Sequence, residues 1–321
     1  MMYEEVVLSA ERKVVLRLYI QQKSEELMPG VHRPLVLICP GGGYSFLSDR
    51  EGEPIAFEYL SAGYHAAVLY YGINEYAVAP GPLKDIAGAV KYIKEHSEEL
   101  LVDKDAVYVS GFSAGGHVAA SLGIFWNNDE LLPEYKDCRE MIKPAGMILG
   151  YPVIDLHSSS KKLDIGIQPG QEPKDIQFGQ KHPKMPLEKM FVFDEKENRY
   201  FIQFENSMNA YIFGGEYTEQ QEDFYSLQNQ VNEDTVPAFV WHTAEDNLIY
   251  PANTLLLVNA LHKYNIPFEY HIFGEGGHGL GLGTYVTANS PWNLNETVAP
   301  WMSLSKTWLY RRTKLNARDD A

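Results

Sequence analysis

A serine, an aspartate and a histidine in this 321-residue sequence stand where side chains of these types could carry out nucleophilic acyl transfer. The serine is Ser113, within Val107-Tyr108-Val109-Ser110-Gly111-Phe112-Ser113-Ala114-Gly115-Gly116-His117. A β-branched and aromatic run ends in glycine, a helix start of small residues follows, and glycines stand two positions either side of the serine. That spacing marks a nucleophile elbow, a strand-to-helix turn that lifts a hydroxyl above a sheet. Side chains at the flanking positions would collide with the strained serine backbone. The helix that follows aims free amides and its positive dipole end at whatever the serine attacks.

A serine hydroxyl is a poor nucleophile until a base removes its proton, and the base needs an orienting acid. In elbow-type chemistry the partners follow in the order serine, acid, histidine, each just after a strand. His242-Thr243-Ala244-Glu245-Asp246-Asn247 follows an apolar segment over 237–242, and Asp246 is the predicted acid, with Glu245 as the weaker alternative. Gly276-Gly277-His278-Gly279 follows another such segment, and His278 is the predicted base. A tetrahedral intermediate also needs backbone donors. The Ala114 N–H is one, and Gly42 and Gly43 in Pro40-Gly41-Gly42-Gly43-Tyr44 supply the other. Gly41 and Tyr44 are expected to line the substrate pocket, with the core as the equal alternative for Tyr44. His117 and His242 read as structural. No Cys/His cluster has zinc spacing, and neither a phosphate-cradling loop nor a dinucleotide fingerprint occurs, so no metal and no cofactor are expected.

The elements that must position these residues alternate along the chain. The alternating pattern of Val14–Ile20 predicts a first strand at the sheet edge. The continuous apolar runs at 35–39, 65–71 and 147–151 predict strands covered on both faces. Helices are expected over 53–62, 83–100, from the elbow to about Trp126, over 251–264 and within 293–315, and strands over 237–242 and 268–273. Residues 155–234 read as a long irregular region. Alternating strands and helices give an α/β protein with a mostly parallel central sheet, helices on both faces, and an insertion after the sixth strand.

Composition narrows the chemistry. The formal net charge of −16 excludes the basic face of a nucleic-acid binder. Only Cys39 and Cys138 occur, which implies no disulfide framework and suits a reducing compartment. The opening residues Met1-Met2-Tyr3-Glu4-Glu5 lack the build of a signal peptide, and no apolar run is long enough to span a membrane. The expectation is a cytoplasmic protein with neither nucleic-acid nor membrane partners.

Taken together, the proline-led triple glycine, the elbow, His242-Thr243-Ala244-Glu245-Asp246 and Gly276-Gly277-His278-Gly279-Leu280-Gly281-Leu282 resemble the α/β-hydrolase esterases grouped with acetyl-xylan and feruloyl esterases. The resemblance is to the small cytoplasmic acetyl-esterase-like branch and covers about 31–308. It implies hydrolysis of a short acyl ester, often acetyl, from a sugar or related alcohol, with Ser113, Asp246 and His278 at the family's triad positions. The substrate expected is a small-molecule ester such as an acetylated oligosaccharide. One departure concerns about 158–205, longer than the family needs and rich in charge and aromatics. Within a single domain spanning 1–321, it is expected to be either a cap over the site or a contact in a homo-oligomer. Two rival readings stay open: an amide or peptide acyl hydrolase of the formamidase or prolyl-oligopeptidase kind, and a non-catalytic ligand-binding protein on the same scaffold.

Overall fold

The computed structural model describes residues 1–26, 31–157, 162–163, 170, 172, 191–246 and 248–313. In chain order its strands are β1 (Met2–Ser9), β2 (Val14–Ile20), β3 (Arg33–Cys39), β4 (His65–Tyr70), β5 (Val102–Phe112), β6 (Gly146–Gly150), β7 (Lys162–Leu163), β8 (Phe191–Asp194), β9 (Arg199–Gln203), β10 (Ala238–Thr243) and β11 (Phe268–Phe273). The helices are α1 (Glu53–Ser61), α2 (Gly81–Glu95), α3 (Ser97–Leu100), α4 (Ser113–Phe125), α5 (Phe204–Phe213), α6 (Glu219–Tyr225), α7 (Ala252–Lys263) and α8 (Trp301–Arg312).

Eight strands form one sheet in the order β1-β2-β4-β3-β5-β6-β10-β11. From β4 to β11 every pairing is parallel, while β2 pairs antiparallel with both β1 and β4. Strand side chains alternate between faces, and the two cores follow that alternation. Leu35, Leu37 and Cys39 pack with Ile86, Val90, Val118 and Leu257 from α2, α4 and α7 on one face. Val36 and Ile38 pack with Ile55, Tyr59, Trp301 and Trp308 from α1 and α8 on the other. A sheet buried on both faces needs near-continuous apolar strands, and β3 through β6 and β10 are that.

The strand order reverses at β3. The chain steps from β3 to β4 through α1 on one face, then crosses to β5 through α2 on the opposite face. Right-handed crossovers in opposite directions require helices on opposite faces. The loops leaving β3 and β5 therefore diverge and leave a crevice between their carboxyl ends, where ligands bind in such sheets.

Three expectations need correction. The edge strand is β1, not β2. Its outward face is solvated and reads as polar, so only the pairing of Met2–Ser9 with β2 reveals it. The helix expected over 83–100 stops at Glu95 and restarts at Ser97 as α3. The region read as irregular holds α5, α6 and a three-stranded sheet in the order β7-β9-β8. Of the segment expected as a cap or contact, residues 158–161, 164–169, 171 and 173–190 lie outside the described residues.

Packing is close where α4 crosses the sheet. A side chain on Gly115 would meet the carbonyl oxygens of Cys39 at 2.2 Å and Pro40 at 2.3 Å. Backbone of β3 cannot yield as a side chain would. Gly115→Ala should therefore cost about 3 kcal/mol of unfolding free energy in urea denaturation, an overpacking penalty at the upper end of its range.

Candidate active site

Ser113 sits between β5 and α4 with a backbone φ of +52°, in the left-handed region that L side chains avoid. The turn holds it there: its carbonyl accepts the Val153 N–H at 3.0 Å, and the close fit of Gly115 against β3 leaves α4 one position. The hydroxyl consequently stands at the carboxyl end of the sheet. Tight loops after β10 and β11 bring the other two predicted residues to it.

His278 Nε2 lies 2.9 Å from Ser113 Oγ, and His278 Nδ1 lies 2.7 Å from Asp246 Oδ2. A carboxylate can only accept, so Nδ1 carries the proton and Nε2 is left as the acceptor for the serine hydroxyl. Asp246 is buried, and three further donors satisfy it. His242 Nε2 stands 3.0 Å from Oδ2, while the Leu248 and Ile249 amides each donate to Oδ1 at 2.9 Å. Burial by itself would raise this carboxyl. The charge of His278 and the bonds from His242 and His278 outweigh it and hold Asp246 well below the usual carboxylate range. Glu245, the alternative acid, is exposed and, among the described residues, accepts from the Gly276 N–H at 3.4 Å rather than from His278.

The serine opens onto a cleft of about 400 Å³ whose walls include Gly42, Gly43, Phe46, Arg50, Leu248 and His278. Gly42 has φ +132°, and a side chain there would strike the Phe46 carbonyl at 2.0 Å. With its own carbonyl accepting the Ser45 and Phe46 N–H groups at 3.0 and 3.2 Å, the glycine loop curls back on itself and faces the cleft. Ala114, the first residue after the serine, is buried at the start of α4, where amides have no partner within the helix.

Two expected pocket residues do not line this cleft. Tyr44 turns its ring into the core and places its hydroxyl 2.7 Å from His117 Nδ1. Gly41 lies beneath the serine, where a side chain would meet Ser113 Cβ at 3.0 Å and Glu51 Oε2 at 2.6 Å. Sequence reasoning missed Phe46, Arg50 and Glu51. All three follow the glycine run within ten residues, but nothing in their spacing tells a cleft wall from a surface turn. It also passed over the bond of His242 to Asp246, for which the four-residue separation after a strand was a usable signal. Among the described residues, no group of three or more His, Cys, Asp or Glu side chains could hold a metal ion.

His117 shows the opposite electrostatics. Its Nε2–H donates to the Tyr225 carbonyl at 2.9 Å, so Nδ1 accepts from Tyr44, and the ring is neutral. Burial pushes this imidazole down to about 4, against a smaller upward effect of the Tyr225 bond. A histidine lowered in the folded state stabilises fully above its unfolded value and loses that contribution as pH falls through the folded one. Unfolding free energy should therefore decline between pH of about 6.5 and about 4, with a shallower slope in His117→Gln. His65, also pushed down to about 4 mainly by burial, acts in the same direction. Asp246 acts lower on the scale: a carboxyl depressed on folding stabilises above its unfolded value and loses this as pH falls. Asp246→Asn should be less stable than wild type at neutral pH, and the gap should close progressively below a pH of about 4. Denaturant titrations across pH check both.

Comparison with known proteins agrees with this architecture. The BD-FAE family profile matches residues 16–189, and that of the prolyl oligopeptidase family matches 190–292. An endo-1,4-beta-xylanase B of Butyrivibrio fibrisolvens is 30% identical over 258 residues, which are 78% of this chain but only 33% of that protein. The chain thus spans about a third of that relative's length. A carboxylesterase of Lactobacillus plantarum WCFS1 has a similar structure, with a TM-score of 0.73 and 28% identity over 97% of this chain and 98% of its own. An acetyl ester-xyloside bifunctional hydrolase of Caldicellulosiruptor lactoaceticus gives a TM-score of 0.68 and 25% identity over 96% of each chain. With more than half of its length matched, the chain belongs to the BD-FAE family, on the α/β-hydrolase fold.

Proposed function

We propose that the protein is a serine carboxylesterase that hydrolyses short-chain acyl esters, acetyl esters of carbohydrates above all, through an acyl-enzyme on Ser113. The observation that carries this reading is the unbroken hydrogen-bonded line from Ser113 through His278 to Asp246 at the floor of an open cleft. His278 Nε2 takes the hydroxyl proton as Ser113 Oγ attacks the acyl carbon. Asp246 keeps the other ring nitrogen protonated and stabilises the imidazolium that forms. The Ala114 amide and those of Gly42 and Gly43 receive the oxyanion. His278 then returns its proton to the departing alcohol, and in the second half-reaction it activates water to release the acid.

The names of two similar proteins, a xylanase and an acetyl ester-xyloside hydrolase, support a carbohydrate alcohol and an acetyl group. We read the whole chain as one catalytic domain, in which about 158–205 shapes the pocket or mediates self-association. The second reading, amide hydrolysis, is favoured by one observation, the match of 190–292 to the prolyl oligopeptidase family. Both readings use the same three residues and differ in the leaving group.

Turnover of p-nitrophenyl acetate, butyrate and octanoate, with p-nitroacetanilide as the amide, separates them. Acetate should be the best substrate, and Ser113→Ala should lower kcat by about 10⁴-fold or more. Faster turnover of the anilide than of any ester would reverse the assignment. Equal inertness of wild type and Ser113→Ala would remove it.

A further inference from the structure

Glu51 is a carboxylate only 3% exposed, in a cleft wall, and no step of the proposed reaction uses it. Burying an ionised carboxylate is costly unless its oxygens are bonded. Here both are: one partner lies in the glycine loop, and the other is bonded to the loop that bears His278. Oε2 accepts the Gly41 N–H at 2.9 Å, at the root of the glycine loop. Oε1 accepts the Tyr151 hydroxyl at 2.7 Å. That same hydroxyl accepts the Gly281 N–H at 3.0 Å, three residues beyond His278.

Tyr151 is itself constrained. It is fully buried with φ +37°, a conformation that persists only when the surroundings enforce it. Its ring packs edge-on against that of His278, with centroids 4.9 Å apart. The residue before Glu51 adds a second tie, since Arg50 Nη1 donates to the Gly279 carbonyl at 3.0 Å. The loop bearing His278 is therefore held at two points just after the histidine, at Gly279 by Arg50 and at Gly281 by Glu51 through Tyr151, and Glu51 also holds the glycine loop.

We propose that Glu51, acting through Tyr151, is a positioning residue that fixes the separation between the backbone donors of the glycine loop and the imidazole of His278. The inference rests on the esterase reading above. Glu51 touches no reacting atom. Its carboxylate sets where the oxyanion donors stand relative to the base, and such placement governs the transition state more than ground-state binding. A carboxylate is suited to this because it accepts at both oxygens without needing a partner for a proton of its own.

The test compares Tyr151→Phe, Glu51→Ala and Glu51→Gln with wild type and Ser113→Ala on p-nitrophenyl acetate, with melting temperatures recorded alongside. Tyr151→Phe keeps the ring and the bond to Gly41 but cuts the link to Gly281. It should lower kcat by about tenfold or more while KM changes less than about threefold. Glu51→Ala should fall further, and Glu51→Gln, which can still accept from Gly41, should recover part of the loss. If Glu51→Ala does not fold, Tyr151→Phe decides alone. A lowered melting temperature with wild-type kcat in Tyr151→Phe would overturn the positioning role and leave a purely structural bridge. Hydrolysis by Ser113→Ala at the wild-type rate would instead overturn the esterase reading, whatever the other variants do.

Discussion

The serine turn is possible only because α4 lies directly against the end of β3. Hydrogen, and nothing larger, fits between Gly115 and the carbonyls of Cys39 and Pro40, and this contact keeps Ser113 in a conformation its own side chain disfavours. The contact needs β3 and β5 to be neighbours in register, with Cys39 opposite Gly111. It also needs the chain to leave β3 in one direction and return from the other, which is the reversal of strand order at this point. The crevice created by that reversal holds the glycine loop and the serine together. The loops after β10 and β11 bring the acid and the base from strands farther along the same edge.

Around this point the protein sets two histidines in opposite environments. His278 has a carboxylate on one nitrogen and the serine hydroxyl on the other. His117, one turn into α4, has only neutral partners and complete burial, which hold it uncharged. The difference lies in the groups that face each ring. Asp246 in turn carries a charge in a buried position because four donors converge on its two oxygens. A carboxylate so fully bonded has little freedom to move, and it fixes the tautomer of His278.

The two family matches meet between residues 189 and 190, and the site draws on both sides of that boundary. The glycine loop and Ser113 come from the first, while Asp246 and His278 come from the second. Neither part holds the full set of residues, so the cleft exists only when the sheet is continuous from β3 to β11. The Arg50–Glu51 turn and Tyr151 belong to the first part, yet they bond to Gly279 and Gly281 in the second. These bonds join the parts at the cleft itself, beyond the pairing of β6 with β10.

Local pattern was enough for much of this protein. The continuous apolar runs of β3, β4 and β6 identify buried strands because side-chain alternation is irrelevant when both faces are covered. The elbow around Ser113 is a local steric device, so its glycines stand next to the serine in sequence. Asp246 and His278 were legible because each follows a strand closely and in the expected order. Residues whose role depends on distant partners were not legible. Tyr44 belongs to the core because His117, 73 positions later, faces it. Glu51 reads as one more acidic residue in a turn, and only Gly41, Tyr151 and Gly281 around it explain its burial. β1 is a strand because β2 offers it an edge. The sequence by itself determined the buried strands of the central sheet, the elbow and the three residues brought to one line, since short-range sterics and periodicity encode them. Tertiary structure alone decided which other side chains reach that line, because long-range contacts leave no period or spacing in the chain.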